Sequence, residues 1–281
     1  MPPLYDAHQH LHFPSLDPHR EKVLKGLASI NLKFAAVNAT NEAEWHQVAS
    51  LAGEFPEILP SYGIHPWDCG TASADWLPNL RAQLEADPRA GVGEIGLDRW
   101  IIDGIRPDDP RIGGLRVATL AEQLDVFSAQ LRLAAELGRA ASIHCVQAFG
   151  AVLDTLQQSP RSPRGFLLHG YGGPAEMVRS FVELGAYFSF NLEWLAPRHA
   201  ARLANFKLIP LDRLLVETDA PEKAPPPELN RFPLPVDATT RQAVNHPANV
   251  VVAYEALAQL REMPVEALAA QVEQNFRRLF L

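Results

Sequence analysis

Two histidines near the start of the chain, His8 and His10, have a spacing that favours binding of a metal ion. They follow the apolar pair Leu4 and Tyr5, which predicts a short strand. Side chains two residues apart on a strand point to the same face, so the two imidazoles would lie about 6 to 7 Å apart along it. Imidazole nitrogens are ligands for zinc, manganese or iron, and this pair is therefore a candidate metal site.

Further potential metal-binding side chains lie at the ends of other apolar runs. They are His65, Glu94, His144, His169 and Asp219. A structural role in the core explains any single histidine equally well, but it explains the whole set poorly. Four histidines with two carboxylates could bind one or two divalent cations. Two cations about 3.5 to 4 Å apart suit hydrolysis, because they activate water and offset charge on the attacked group, while a nearby carboxylate moves protons.

Apolar runs alternate with amphipathic stretches, which predicts βα units around a parallel sheet. The predicted strands are 4–8, 33–38, 59–65, 91–97, 140–145, 165–169, 186–191 and 213–218, and helices are predicted at 42–53, 119–138, 148–158 and 174–185. Eight strands over this length predict an α/β fold, a (β/α)8 TIM barrel, in which catalytic groups lie at the C-terminal strand ends. Gly138 and Gly185 are expected at helix C-caps.

The pattern predicts a single domain over residues 1–281 with two long loops at strand C-terminal ends, near 99–116 and 221–247. Residues 248–281 are expected to form two or three helices that complete the domain. The first loop contains Arg99, Arg106, Arg111 and Arg116. These arginines are interpreted either as phosphate-binding groups or, more simply, as a solvated charged loop.

The composition excludes several classes of protein. A net charge of −8 argues against broad electrostatic capture of DNA, although a metal site can still attract a phosphodiester locally. Two cysteines, Cys69 and Cys145, form no disulfide framework, and a reducing cytoplasm is expected. We find no secretory signal and no apolar run long enough to span a membrane.

Six motifs in order along the chain resemble the TatD family of metal-dependent hydrolases, within the amidohydrolase-like barrels. They are DAHQH at 6–10, GIHPW at 63–67, GEIGLD at 93–98, IHC at 143–145, HGYGG at 169–173 and VETDAP at 216–221. The tail NFRRLF at 275–280 also resembles the family's ending. The resemblance implies a TIM-barrel deoxyribonuclease or phosphodiesterase that uses two divalent cations, with zinc, manganese and magnesium all open as the metal.

The resemblance also implies roles for individual residues. The implied metal ligands are His8, His10 and Asp219 for one ion, His144 and His169 for the second, and Glu94 bridging both. Asp219 and Glu94 are the implied catalytic carboxylates, with Asp219 the favoured general acid or base. His65 is expected to contact the substrate or its phosphate. Glu217 is expected either beside the substrate or behind a ligand histidine, and a purely structural role is equally open.

Several positions depart from the family pattern. Val146 occupies a position where an arginine is common, which removes a bidentate phosphate contact. His12 and His246 replace acidic residues, and HGYGG differs mildly from the usual HCFSG. These changes leave the predicted metal ligands intact but weaken the expectation of nuclease activity.

Three functions therefore remain open. The leading hypothesis is hydrolysis of DNA or oligonucleotides by a monomer or weak oligomer. The second is hydrolysis or deamination of a small amide, lactone or related substrate, because one barrel fold carries several chemistries. The third is a metal-dependent scaffold without turnover, which the complete ligand set makes the weakest of the three.

Overall fold

An eight-stranded parallel sheet forms the centre of the computed structural model, which describes residues 1–106, 108–237 and 240–281. Each strand pairs with the next along the chain, so the order is β1 to β8. The strands are β1 Leu4–Gln9, β2 Leu32–Asn38, β3 Ile58–Tyr62, β4 Gly91–Asp98, β5 Ala141–Val146, β6 Phe166–Leu168, β7 Ala186–Phe190 and β8 Leu214–Val216. All eight predicted strands are present, which confirms the predicted α/β fold class.

Backbone hydrogen bonds join the first strand to the last and close the sheet into a barrel. The amide of Asp219 donates to the carbonyl of His8 over 2.9 Å, and the amide of His10 donates to the carbonyl of Ala220 over 2.7 Å. These bonds bring the two ends of the sheet together at the rim where the first histidine pair lies. The predicted (β/α)8 barrel in a single domain is confirmed.

Helices cover the outside of the barrel. Within the described residues they are α1 Arg20–Ala28, α2 Glu42–Glu54, α3 Trp76–Ala86, α4 Trp100–Asp103, α5 Leu120–Glu136, α6 Phe149–Gln158, α7 Val178–Glu183, α8 Ala200–Leu203, α9 Asn205–Leu208, α10 Val250–Leu260 and α11 Val265–Phe280. Thr119 and Glu122 form a reciprocal capping box at the start of α5. Gly138 and Gly185 follow helix ends with φ of 64° and 97°, as expected of C-cap glycines. None of the described helices is long and apolar enough to cross a bilayer.

Several strands end earlier than predicted. β3 ends at Tyr62 and β8 at Val216, although the predicted strands continue to residues 65 and 218. The chain nevertheless stays tied to the neighbouring strand beyond these ends, because single backbone bonds continue the ladder. They run from the amides of His65, His169 and Glu217 to the carbonyls of Thr40, Ile143 and Phe190, at 2.7, 3.2 and 3.0 Å. The rim residues are therefore held by the barrel and are not on free loops.

The segments outside the barrel strands and helices contain short helical turns. The segment 99–116 contains α4 and a 3-10 turn at Pro110–Ile112, and 221–247 contains a turn at Pro227–Leu229. Residues 107, 238 and 239 of these predicted loops lie outside the described residues. The tail forms α10 and α11, as predicted.

These two C-terminal helices fasten the strands at which the barrel closes. The hydroxyl of Tyr254, on α10, accepts from the amide of Tyr5 and donates to its carbonyl, both over 3.0 Å. Asn275, on α11, donates to the carbonyl of Leu214 over 2.7 Å. β1 and β8 are therefore each anchored by a buried polar side chain, which supports the rim that they share.

Candidate metal centre

The six predicted metal ligands lie within or just beyond five strands and meet at the C-terminal rim of the barrel. Nitrogen and carboxylate oxygen atoms lie within 4.8 Å of one another in three groups: His8 with His10 and Asp219, His8 with Glu94 and His169, and His65 with Glu94 and His144. The groups overlap through His8 and Glu94. The structure therefore brings together every predicted ligand, and His65 as well.

The first half of this cluster contains His8, His10 and Asp219. The Nε2 atoms of the two histidines are 3.2 Å apart, and each lies 3.3 Å from Oε2 of Glu94. Oδ1 of Asp219 lies 3.7 Å from Nε2 of His8 and 3.5 Å from Nε2 of His10. All four side chains are buried. Two nitrogens and two oxygens thus surround one small volume.

The second half contains His144 and His169, which face the other oxygen of Glu94. Oε1 of Glu94 lies 2.9 Å from Nδ1 of His144 and 2.8 Å from Nε2 of His169, and these two nitrogens are 3.3 Å apart. The two carboxylate oxygens of Glu94 are thus divided between the two halves, the arrangement expected of a bridging carboxylate.

Hydrogen bonds behind the rings determine which nitrogen faces the centre. Nδ1 of His10 lies 2.7 Å from the carbonyl oxygen of Asn38, which only accepts, so Nδ1 carries the proton and Nε2 is free to ligate in the neutral ring. Nε2 of His144 lies 3.1 Å from Oδ2 of Asp98, which leaves Nδ1 of that ring free. Nδ1 of His8 contacts the hydroxyl of Ser142 at 2.9 Å. Such contacts orient ligand histidines in metal sites.

In His65, unlike His10 and His144, the protonated nitrogen is the one that faces the centre. Its Nδ1 accepts from the backbone amide of Trp67 over 3.2 Å, so the proton of the neutral ring is on Nε2. That nitrogen lies 3.4 Å from Oε1 of Glu94. A protonated Nε2 donates a hydrogen bond and does not ligate a metal, which is consistent with the predicted role of His65 as a contact to substrate.

Glu217 lies behind His169 and is fully buried. It accepts from the amide of Asn191 over 2.9 Å and from the hydroxyl of Ser189, and its Oε1 is 3.8 Å from Nδ1 of His169. Of the three predicted roles, this buried position favours orientation of the ligand histidine or a structural role over contact with substrate.

The charges of the cluster are strongly coupled. Burial alone would raise the pKa of Glu94, but the imidazoles of His169, His65 and His8 hold that pKa well below its usual range. Burial also opposes ionisation of Asp219, yet its contact with His10 and the other imidazoles lowers its pKa to about 2. Burial would lower the pKa of His10, but Asp219 and Glu94 raise it to about 10. Two carboxylates are thus ionised in a buried site, which requires positive charge beside them.

A divalent cation fits this donor set. Ligand atoms about 2.1 Å from a tetrahedral zinc ion lie roughly 3.4 Å from one another. The five measured separations among Nε2 of His8, Nε2 of His10, Oε2 of Glu94 and Oδ1 of Asp219 run from 3.2 to 3.7 Å. A cation bound here would displace the second proton of His10 and leave the lone pair of Nε2 pointing into the same volume, so the first half matches a metal site in donor type, spacing and ring orientation.

Two buried glutamines on α5, which were not predicted from the sequence, hold the backbone beside His65 and at Asp98, the partner of His144. The side chain of Gln130 accepts from the amide of Ile64 over 2.7 Å and donates to its carbonyl over 3.1 Å. Gln123 makes the same pair of bonds to Asp98, at 2.9 and 3.1 Å. The two glutamines are seven residues apart on the inner face of one helix. In the sequence, these glutamines stand out as polar residues on an otherwise apolar face of the helix.

Asp6 performs a similar function at the barrel closure. Its carboxylate accepts from the amide of Thr218 over 3.0 Å and from the Thr218 hydroxyl over 2.6 Å. The next residue, Asp219, has a φ of 53°, in the left-handed region that is unfavourable for most side chains. Asp6 thereby holds the turn that directs the Asp219 carboxylate towards His8 and His10.

Three of the departures from the family pattern, at Val146, His246 and His12, have separate structural contexts. Val146 ends β5 and is partly buried. His246 is buried away from the cluster, where Nδ1 accepts from the amide of Ala248 over 3.0 Å and Nε2 contacts the carbonyl of Lys22 at 3.3 Å. His12 pairs with Glu44 over 3.0 Å. His12 and His246 are therefore tied to protein partners, and Val146 leaves an aliphatic surface beside His144.

A parallel eight-stranded barrel with these histidines and carboxylates at its C-terminal rim has the architecture and donor set expected of a metal-dependent hydrolase. Sequence comparison assigns it further. The chain belongs to the TatD related DNase family, whose sequence model matches residues 5–281. The resemblance found in the motifs is thereby confirmed over nearly the whole chain.

Individual relatives agree with this assignment. The chain is 29% identical over 281 residues to the uncharacterized metal-dependent hydrolase YcfH of Escherichia coli K12, covering 99% of this chain and 95% of the relative. It is 30% identical over 266 residues to the 3'-5' ssDNA/RNA exonuclease TatD of Erwinia tasmaniensis, covering 93% of each. The crystal structure of YjjV, a TatD homolog from Escherichia coli K12, superimposes with a TM-score of 0.82 at 25% identity, covering 99% of this chain and 97% of that one.

Proposed function

We propose that the protein is a two-metal phosphodiesterase that hydrolyses DNA or short oligonucleotides. The observation that carries the proposal is the division of the Glu94 carboxylate, with one oxygen facing His8 and His10 and the other facing His144 and His169. A shared carboxylate between two groups of imidazoles suits a pair of ions. The exonuclease name of the Erwinia tasmaniensis relative supports a nucleic-acid substrate.

The six predicted ligands would hold the ions as the family resemblance implies. The first ion would be held by His8, His10 and Asp219, the second by His144 and His169, and Glu94 would contact both. Such ions would activate water and offset the charge that develops on the attacked phosphorus. Imidazole ligands favour zinc or manganese, and the oxygen ligands leave magnesium open as well.

Asp219 is the proposed general base. Its carboxylate lies within the cluster, and its low pKa keeps it unprotonated at neutral pH, which is the form that a general base needs. Glu94 stays anionic for the same electrostatic reason and acts as the shared ligand. His65 offers the proton on Nε2 to an oxygen of the substrate phosphate. Glu217 orients His169 from behind and does not enter the reaction.

Release of nucleotides from a single-stranded oligonucleotide tests this proposal. Protein loaded with zinc, manganese or magnesium should degrade the strand, and a chelator should stop the reaction. Asp219→Ala and Glu94→Ala should lower turnover by about 10²- to 10⁴-fold while circular dichroism stays unchanged. Asp212→Ala removes an exposed carboxylate at the other end of β8 and should have no effect. Near wild-type turnover in Asp219→Ala would exclude the assigned role.

A small ester, amide or lactone substrate is the second candidate, and Val146 is the observation that favours it. An aliphatic side chain beside His144 gives less support to a phosphate anion than the arginine common in the family. Parallel assays with bis-p-nitrophenyl phosphate and with a panel of esters, lactones and amides separate the two. Turnover only on the panel would replace the phosphodiesterase, and metal binding without any turnover would indicate a scaffold.

Two further sequence-based expectations are part of this proposal. A monomer or weak oligomer is expected to be the active form, and the cytoplasm is its expected location. Both stay predictions. Sedimentation of the metal-loaded protein at micromolar concentration measures the first.

A further inference from the structure

We propose that Trp67 and Trp100, capped by Arg111, form a stacking subsite for a nucleobase of the substrate strand, an inference that rests on the proposed hydrolysis of nucleic acid. The three side chains come from two segments beyond β3 and β4. Trp67 follows His65 by two residues, and Trp100 and Arg111 belong to the segment 99–116. The sequence alone assigns no definite role to the arginines of this segment.

The three groups form one cluster in which the two indole rings are nearly parallel and Arg111 lies over both of them. The two indole rings are 6.0 Å apart between centroids with an interplanar angle of 25°. The guanidinium carbon of Arg111 lies over both rings, 5.0 Å from the centroid of Trp100 and 5.8 Å from that of Trp67. Both indoles are partly exposed and Arg111 is exposed, so this surface is accessible from solvent.

One hydrogen bond ties the stack to the metal centre. Nε1 of Trp67 donates to Oδ2 of Asp98 over 2.7 Å, and the same oxygen lies 3.1 Å from Nε2 of His144. Asp98 is itself fixed by the bonds from Gln123 to its backbone. The stack is therefore separated from a candidate metal ligand by one side chain, a separation that suits the base of a nucleotide whose phosphate lies at the centre.

The ion pair between Arg111 and Asp109 favours a base over a phosphate as the further partner of Arg111. Asp109 accepts from Nε and Nη2 of Arg111 over 2.9 and 2.7 Å, so a carboxylate already occupies the hydrogen-bonding edge of the guanidinium. The planar face of the guanidinium remains on the aromatic rings. Bases stack on aromatic and guanidinium faces without strong sequence preference, because every base has a π face.

Other tryptophans of the described chain lack this combination. Trp194 also lies under an arginine, with the Arg202 guanidinium carbon 5.9 Å from its ring, but only 6% of its surface is exposed. Trp45 is equally buried, and Trp76 packs against the hydrophobic core. Partial exposure, an aromatic partner and a bond to the centre coincide at Trp67 and Trp100.

Binding of a phosphorothioate-linked single-stranded tetranucleotide to the metal-loaded protein tests the subsite without turnover. Trp100→Ala should raise the Kd about 5- to 150-fold, the range expected for loss of one stacked base. Trp100→Phe keeps a ring and should restore most of the affinity. Trp76→Ala removes another partly buried tryptophan and should leave the Kd unchanged.

A scan of single abasic positions along the same strand separates stacking from a structural role. At one position, loss of the base should weaken binding to the wild type but not to Trp100→Ala. Equal losses by Trp100→Ala on intact strands and on all abasic strands would overturn the subsite. So would a fall in kcat on bis-p-nitrophenyl phosphate as large as the fall in affinity for the strand.

The two proposals fail in different ways. A base-dependent contribution of Trp100 to binding, with no release of nucleotides from unmodified strands under any metal, would retain the subsite and overturn the proposed hydrolysis. Release of nucleotides with unchanged Kd and KM in Trp100→Ala would retain the hydrolysis and overturn the subsite.

Discussion

The two halves of the candidate metal centre differ in burial and in how their ring nitrogens are held. In the half with His8 and His10, the side chains are 0% and 5% exposed, and Ser142 and Asn38 contact the outer nitrogen of each ring. In the other half, the His144 side chain is 16% exposed. The outer nitrogen of His169 is buried and has no hydrogen-bond partner at usual distance.

One rim thus combines a rigid group of potential ligands with a more accessible one. Oriented rings that are shielded from water need little reorganisation to bind a cation, so the first half should bind its ion more tightly. The second half opens towards His65 and the stack of Trp67 and Trp100. Substrate should therefore approach from that side, and the second ion should be the more easily exchanged of the two.

We expect Glu94→Gln to have the largest effect on metal binding and turnover, because Glu94 is the residue that we assign as a ligand shared by the two halves of the centre. The amide replaces one ligand oxygen with a group that cannot bind a cation. We expect the bound metal to fall by at least one equivalent and turnover to fall by about 10²- to 10⁴-fold. Mass spectrometry of the metal content and an oligonucleotide assay measure both.

The control for this variant is Glu85→Gln on α3. The Glu85 side chain is 55% exposed and is not among the residues assigned to the metal centre. It should keep the metal content and rate of the wild type. Full metal occupancy in Glu94→Gln would contradict the view that the two halves share a ligand.

Ser142→Ala and Asp98→Asn should separate the two halves. Ser142 contacts His8 and Asp98 contacts His144, so each variant loosens one ligand of one half. Loss of such a partner typically lowers metal affinity by about 10- to 100-fold. Titration against a competing chelator should find that Ser142→Ala lowers metal affinity at the tighter site and that Asp98→Asn lowers it at the weaker site. Equal losses at both sites in both variants would remove the distinction between the halves.

Gln123→Ala should have the smallest effect on the centre and a measurable effect on stability. It leaves the buried amide and carbonyl of Asp98 without their side-chain partner, at a cost of about 1 to 3 kcal/mol for each group. We expect a lower urea midpoint and a modest loss of affinity in the second half alone. Gln157→Ala, at an exposed position of α6, is the matched control. A loss of metal affinity confined to the half with His8 and His10 would show that Gln123 on α5 does not support the half with His144 and His169.

Much of the fold and of the ligand set could be predicted from the sequence. Alternating apolar and amphipathic segments predicted the eight strands, and the motifs at their ends predicted the ligands that the structure brings together. Strand ends were less predictable, because at His65 and Glu217 single backbone bonds continue the pairing after the regular ladder has stopped. Local composition does not distinguish a regular strand from a segment that a single backbone bond holds beside its neighbour.

The residues that position the ligands were not predicted. Gln123 and Gln130 read as ordinary helix residues until the contact of α5 with β3 and β4 reveals the backbone groups that they hold. Asp98 belongs to a recognised motif, but its bonds to His144 and Trp67 depend on three separate strand ends meeting. The stack with Trp100 and Arg111 likewise joins segments that are far apart in sequence.

The sequence by itself determined which donor types are present and the order in which the strands deliver them, since residue period and motif spacing are local properties. Only the tertiary structure decided that Glu94 faces two groups of imidazoles, that Nδ1 of His10 donates to a carbonyl whereas Nδ1 of His65 accepts from an amide, and that Glu217 is fully buried behind His169. Barrel closure and strand register place Glu94 between its imidazoles and Glu217 behind His169, because they set the distances between side chains on different strands.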